Sequence, residues 1–199
     1  MNLKEASHQI ISLVNANKFT LSKQTSDLIH GLTAKDEALE WGHFRGEGHE
    51  TTNVSVYIGQ DEPHLPPATV PGAVELKDIF ARGLAELNRI QNPVERAYGY
   101  YLFASYNQFY FDGNKRTARF MMNGLLMQNG FDAVTIPVSQ KQKFDEAMIH
   151  FYRSADGEKV IELFASLGEI SQTHYLKSKQ VEYQNPDPEL NNRSQGISL

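Results

Sequence analysis

The sequence has 199 residues, 40% of them hydrophobic, which is enough to bury one sizeable core and short for two. Its formal charge of −5 argues against a surface built for duplex DNA or for an anionic membrane, where a basic field supplies the affinity. With no cysteine the chain forms no disulfide, thiolate metal site or cysteine nucleophile, and with no signal peptide or membrane-spanning run in view the expectation is a cytoplasmic protein.

In chain order, residues 1–15 read as an amphipathic segment interrupted by Lys4, Glu5, His8 and Gln9, so residues 1–19 are expected to lay an N-terminal helix on the core. The stretch from Thr51 to Ile58 alternates Val54, Val56 and Ile58 against Asn53, Ser55 and Tyr57, which is the period of a strand. It stands alone among helical patterns, between a glycine-rich run at 42–48 and Pro63, Pro66 and Pro67. An isolated strand pair is no core, so it reads as a hairpin or flap lying on a helical body.

Leu76, Ile79, Phe80, Leu84 and Leu87 then recur at helical spacing after Pro71, a residue that a helix start tolerates. A helix from Pro93 carries Ala97, Tyr98, Tyr101, Leu102 and Phe103 and is expected to end within 106–108. Another spans about 115–128, with Phe120, Leu125 and Met127 as core candidates and Asn129-Gly130 as its stop. Two more are expected over about 141–153 and 158–178, parted by the turn Ser154-Ala155-Asp156-Gly157. Residues 179–199 hold too little apolar content to pack and are expected to be mobile. The fold class is therefore all-α, a helical bundle with a small β-hairpin flap.

The segment Asp112-Gly113-Asn114-Lys115-Arg116-Thr117-Ala118-Arg119 falls at the start of a helix, where unpaired N–H groups and the positive end of the helix dipole favour an anion. Glycine lets a phosphate come close to the backbone. Arg116 and Arg119, three residues apart, leave the helix on one face, and Asp112 is a hard oxygen ligand suited to magnesium. The same residues also suit a solvated helix start with Asp112 or Asn114 as its N-cap and both arginines in water. Spacing alone does not choose.

This segment resembles the signature of the Fic (Fido) family, H-x-F-x-D-G-N-G-R-x-x-R, at Asp112, Gly113, Asn114, Arg116 and Arg119. Pro93-Val94-Glu95-Arg96-Ala97 is similar to the helix before the family motif, His43-Phe44-Arg45 followed by Val54 to Ile58 is similar to the approach to its flap, and Asn123 stands where a family asparagine commonly follows. The resemblance covers about residues 20 to 170, and the domain is placed at 20–178. It implies a helical domain that transfers AMP from ATP to a Ser, Thr or Tyr hydroxyl of a protein. Asp112 would hold Mg2+, Gly113 and Asn114 would form the anion hole for the α and β phosphates, and Arg116 and Arg119 would take the β and γ phosphates. Lys115 is grouped with the nucleotide-binding residues. The flap, Val54, Ser55, Val56, Tyr57 and Ile58, would align a target segment by main-chain hydrogen bonds. The implied partners are a nucleotide triphosphate and a protein target or regulator, with neither nucleic acid nor membrane.

Four positions depart from the pattern: Gln108, Phe109 and Tyr110 replace the histidine, proline and phenylalanine, and Lys115 replaces the second glycine. An amide does not titrate near neutral pH, so Gln108 cannot take the proton of an attacking hydroxyl, a service worth about 100- to 10,000-fold. Phe109 and Tyr110 are expected to continue the packing behind the loop. No other histidine, among His43, His49, His64 and His150, is singled out as a replacement. Lys115 replaces the second motif glycine, as in toxins of the Doc type, which transfer phosphate and keep the histidine; extension of this lysine into solvent is the simpler expectation. The segments from Thr33 to Glu37 and from Ser154 to Glu158 match only two residues of the family's inhibitory pattern S/T-x-x-x-E-G/N, so self-inhibition of that form is not expected. The expected function is nucleotide binding with transfer that is weak, altered or lost; a non-catalytic interaction module and a Doc-like phosphotransferase are the alternatives.

Overall fold

A computed structural model describes residues 3–57 and 63–168. Its helices are α1 (Leu3–Asn15), α2 (Lys23–Thr33), α3 (Val74–Leu87), α4 (Pro93–Asn107), α5 (Asn114–Gln128), α6 (Lys141–Ser154) and α7 (158–168), with single 3₁₀ turns at Pro71–Ala73 and Val138–Gln140. The rest of the helix expected to reach 178, the tail 179–199 and Ile58 of the flap lie outside the described residues. Among those residues no helix is long and apolar enough to cross a membrane.

The pair α4 and α5 forms the centre, and α5 also packs against α1 and α2. Asn92 starts α4 by accepting the N–H groups of Val94 at 2.9 Å and Glu95 at 3.4 Å, with Pro93 in the first turn where its missing donor costs nothing. Buried residues lie all round α4, including Ala97, Tyr98, Tyr100, Tyr101 and Ala104, which marks it as the helix enclosed by the others. It stops at Gln108, in the left-handed region at φ 48°. Phe109 and Tyr110 then turn inward, 1% and 3% exposed, and Phe109 stacks on Phe44 at 4.9 Å and meets Phe80 edge-on at 5.0 Å. The connection between α4 and α5 is thus nailed to the core from beneath.

Two expectations need correction. Apolar periodicity places no helix at α2, yet α2 forms, started by Ser22 Oγ accepting the N–H of Thr25 at 3.2 Å. The alternation from Thr51 to Ile58 does set its faces, for Val54 and Val56 are half-buried while Ser55 and Tyr57 are exposed. It does not build a strand among the described residues: pairing is limited to the bridge between Val56 and His64, each N–H donating to the other's carbonyl at 2.9 Å. The return limb carries Pro63, Pro66 and Pro67, which have no N–H to extend a ladder.

Glu47 fastens this limb region to two helices, accepting from Lys23 Nζ of α2 at 2.7 Å, Lys77 Nζ of α3 at 2.8 Å and Phe44 N–H at 2.7 Å. Burial opposes its ionisation, but these donors outweigh burial and hold the carboxyl down at about 2. A depressed carboxyl stabilises the fold above the unfolded group's ordinary 4.5, and that contribution is lost as pH falls toward 2. Glu47→Gln is expected to cost about 2 kcal/mol at pH 7, measured by denaturant unfolding, and the gap from wild type should close between pH 4.5 and 2. A gap unchanged at pH 2 would show that the charge is not what stabilises.

Candidate functional site

The loop from Gln108 to Gly113 is held in one shape from three sides. Asn114 closes it from the front, its Oδ1 accepting Tyr110 N–H at 2.9 Å and its Nδ2 donating to Tyr110 O at 2.7 Å. That side chain is therefore neither an N-cap nor free for a ligand, and what Asn114 has left to offer is its backbone N–H. The N-cap residue is Gly113, at φ 72°, and it provides no side-chain cap. A Cβ on Gly113 would sit in a left-handed conformation and 3.0 Å from Ala34 Cβ, so only glycine fits without strain. Asp112 is exposed, and its Oδ1 accepts Gly113 N–H at 2.6 Å.

α2 forms the floor. His30, fully buried, donates from Nε2 to Asp112 O at 2.9 Å, accepts Gly42 N–H at Nδ1 at 3.1 Å, and stacks on Tyr110 at 3.8 Å. Burial, despite the Asp112 carbonyl, pushes its pKa down to about 4, so the ring is neutral and its tautomer fixed. Tyr110 Oη donates to Ser26 Oγ at 2.8 Å or Asp27 Oδ1 at 2.9 Å, and Thr33 shares a hydrogen bond with Thr117 of α5 at 3.1 Å. Ser26, His30 and Thr33 recur at i, i+4 and i+7, a polar stripe aimed at the loop. That stripe is the mark α2 and its role leave in the sequence, and being polar it adds nothing to the apolar periodicity.

The third side is Arg45, fully buried, and among the described residues no carboxylate pairs with its guanidinium. Nε donates to Gln108 O at 2.6 Å, Nη1 to Thr69 Oγ1 at 2.6 Å, and Nη2 to Pro67 O at 2.5 Å and Asn107 O at 3.4 Å. It thus caps the negative end of α4 and ties it to the return limb of the flap region. Burial lowers its pKa to about 10, and it remains a cation at neutral pH.

The two arginines share a face of α5 but not their surroundings. Arg116 lies over the loop, 2.7 Å from Glu37 Oε2 and 3.6 Å from Asp112 Oδ2. So the segment from Thr33 to Glu37 does bring a carboxylate to the motif, at its first arginine. Arg119, one turn on, lines a cleft of about 330 Å³ with Ser7 and Ile10 of α1, Asn123, Met127 and Ile136. Asn123 straps the following segment by bonding both Val134 N–H, at 2.9 Å, and Val134 O, at 3.1 Å. Lys115 is exposed at the rim of a second cleft, about 200 Å³, roofed by Val56 and Tyr57 and walled by Phe144, Met148 and Tyr152.

Gln108 is 9% exposed beside that second cleft, its Nε2 donating to Ser105 O and to Tyr152 Oη, the latter at 3.3 Å. Burial holds the Tyr152 phenol far above its ordinary value, so it is no base. Of the other histidines, His43 bonds the adjacent Phe44 carbonyl, His49 is exposed, and His150 pairs with Asp156 at 3.4 Å on the turn after α6. His64 lies under the flap, its Nε2 on Tyr106 O at 2.8 Å.

Compared with known proteins, the chain matches the family model described as Fic/DOC family over residues 21–126. It is 37% identical over 113 residues to "Protein adenylyltransferase Fic" of Drosophila persimilis, covering 55% of this chain and 20% of that protein. To the protein of the same name from Drosophila ananassae it is 36% identical over 148 residues, covering 73% and 26%. The chain thus spans only about a fifth to a quarter of these relatives. Among solved structures, Fic-1 of C. elegans superposes with a TM-score of 0.68 at 23% identity, over 91% of this chain and 52% of that one, a likeness of fold.

Proposed function

This chain belongs to the Fic/DOC family, and on that premise we propose that it binds magnesium-bound ATP over the Gly113 turn and transfers AMP to a protein hydroxyl slowly. The observation that carries this reading is the start of α5, where a left-handed glycine opens the helix and no side chain caps it. First-turn N–H groups are left for phosphate oxygens, with Arg116 over the turn and Arg119 one turn on. Phosphates arriving there would exchange with Glu37 for Arg116.

Among the described residues no cluster of three or more His, Cys, Asp or Glu forms a metal cage. A lone exposed carboxylate at Asp112 fits magnesium nonetheless, because that ion is commonly held by one or two carboxylates, the substrate phosphates and water. Bound there, Mg2+ would neutralise phosphate charge. The chain's own residues orient the nucleotide, and Gln108 supplies no base, which is why transfer is slow.

Titration calorimetry with ATP and magnesium checks the binding: wild type is expected to bind, and Arg119→Ala to bind about 10- to 100-fold more weakly, the worth of a charge-assisted contact. No binding by wild type, or equal binding by the variant, would end this reading. Label from the α or the γ position of ATP then separates AMP transfer from the Doc-like transfer of phosphate. A non-catalytic interaction module would transfer neither.

A further inference from the structure

We propose that His64 is the proton acceptor of the slow transfer, a base supplied from the return limb of the flap in place of the motif position. The inference rests on the reading above, in which the nucleotide lies over Gly113 and the target hydroxyl comes in along the flap. His64 is joined to the flap through its backbone bridge with Val56, and its side chain turns under the flap toward the end of α4. There the ring lies between Tyr106 at 4.3 Å and Tyr152 at 5.1 Å, and the Tyr152 hydroxyl is the group that Gln108 Nε2 reaches at 3.3 Å. The imidazole and the amide at the motif position are therefore one side chain apart.

Its chemistry suits the task. Nε2 faces a carbonyl, Tyr106 O, which only accepts, so Nε2 carries the proton and the lone pair is on Nδ1. No described residue bonds Nδ1. A carbonyl acceptor behind the ring fixes its orientation and stabilises the imidazolium once formed, the part that a third group plays behind other general bases. Every other candidate fails on position or protonation: His43, His49 and His150 are engaged or placed elsewhere, His30 is sealed beneath the loop, and Tyr152 is held protonated by burial. In the step, the hydroxyl oxygen bonds to the α phosphorus as its proton passes to His64 Nδ1. The bond from that phosphorus to the bridging oxygen breaks, and pyrophosphate leaves with the electron pair.

The test follows label leaving α-labelled ATP with magnesium, to water and to the chain's own hydroxyls, in wild type, His64→Ala and His64→Gln, with ATP binding measured on the same samples. His64→Gln keeps an N–H for the Tyr106 carbonyl and loses the base, so packing and proton transfer are separated. Both variants are expected to bind ATP as wild type does and to transfer at least about 100-fold more slowly. Added imidazole should restore part of the rate in His64→Ala and none in wild type, which a merely structural role would not produce. Transfer within about threefold of wild type in His64→Gln would overturn the assignment, and so would a wild type that binds ATP and transfers nothing. Absence of ATP binding would instead bring down the reading on which it rests.

Discussion

Gln108→His is expected to raise AMP transfer by about 100- to 10,000-fold, the range that a positioned general base contributes. The site is ready for the ring. Gln108 already donates to Ser105 O, so a histidine there has a carbonyl to hold one N–H and fix its tautomer, leaving the other nitrogen unprotonated. Its place at the left-handed end of α4 is set by backbone, with Gln108 O held by Arg45 at 2.6 Å, and does not depend on the amide. The gain should survive His64→Gln, because the restored base makes the flap histidine unnecessary. Label incorporation measured in wild type, the single variants and the double variant decides this. Equal rates in wild type and Gln108→His, with ATP binding intact, would show that the missing histidine is not what limits transfer.

Arg45→Ala is expected to cost about 3 to 5 kcal/mol of unfolding free energy, among the larger effects of a single substitution. The guanidinium donates to three inward carbonyls, Gln108 O, Asn107 O and Pro67 O, and to Thr69 Oγ1, which itself donates to Thr52 O. Each oxygen left buried without a donor costs about 1 to 3 kcal/mol, and a cavity adds to that. Arg45→Lys should recover only part of the loss, since an ammonium keeps the charge but not the planar fork that serves three directions. Denaturant unfolding of the three proteins measures this, and hydrogen exchange at the Ala68 and Thr69 amides should rise in step. A loss below about 1 kcal/mol for Arg45→Ala would mean that water replaces the guanidinium at little cost.

Much of the fold was legible. Helices α3, α4, α5 and α6 carry their own starts, stops and apolar stripes, and Pro93, Asn129-Gly130 and the turn at 154–157 punctuate them locally. The motif loop was legible too, because glycine before a helix with arginines three apart is a statement about neighbouring residues. What escaped depends on partners distant in the chain. The floor under Asp112 comes from His30, 82 positions earlier, and polar residues facing a polar loop leave no mark on an apolar pattern. Among the described residues the strand expected from Thr51 to Ile58 is reduced to one bridge, since alternation fixes which face is buried and not whether the neighbour has N–H groups to pair with.

The sequence by itself determined the helical class, the family and the glycine turn before α5, together with the glutamine at the motif's histidine position, because each is written in residue identity at short, fixed spacing. Only the tertiary structure decided that Asn114 spends its amide on the loop, that Glu37 meets Arg116, that Arg45 lies buried behind Gln108, and that of four candidate histidines His64 packs on the tyrosine that Gln108 reaches. Such facts are distances between segments far apart along the chain, and they arise when burial of the aromatic core brings α2, the flap and the end of α4 together.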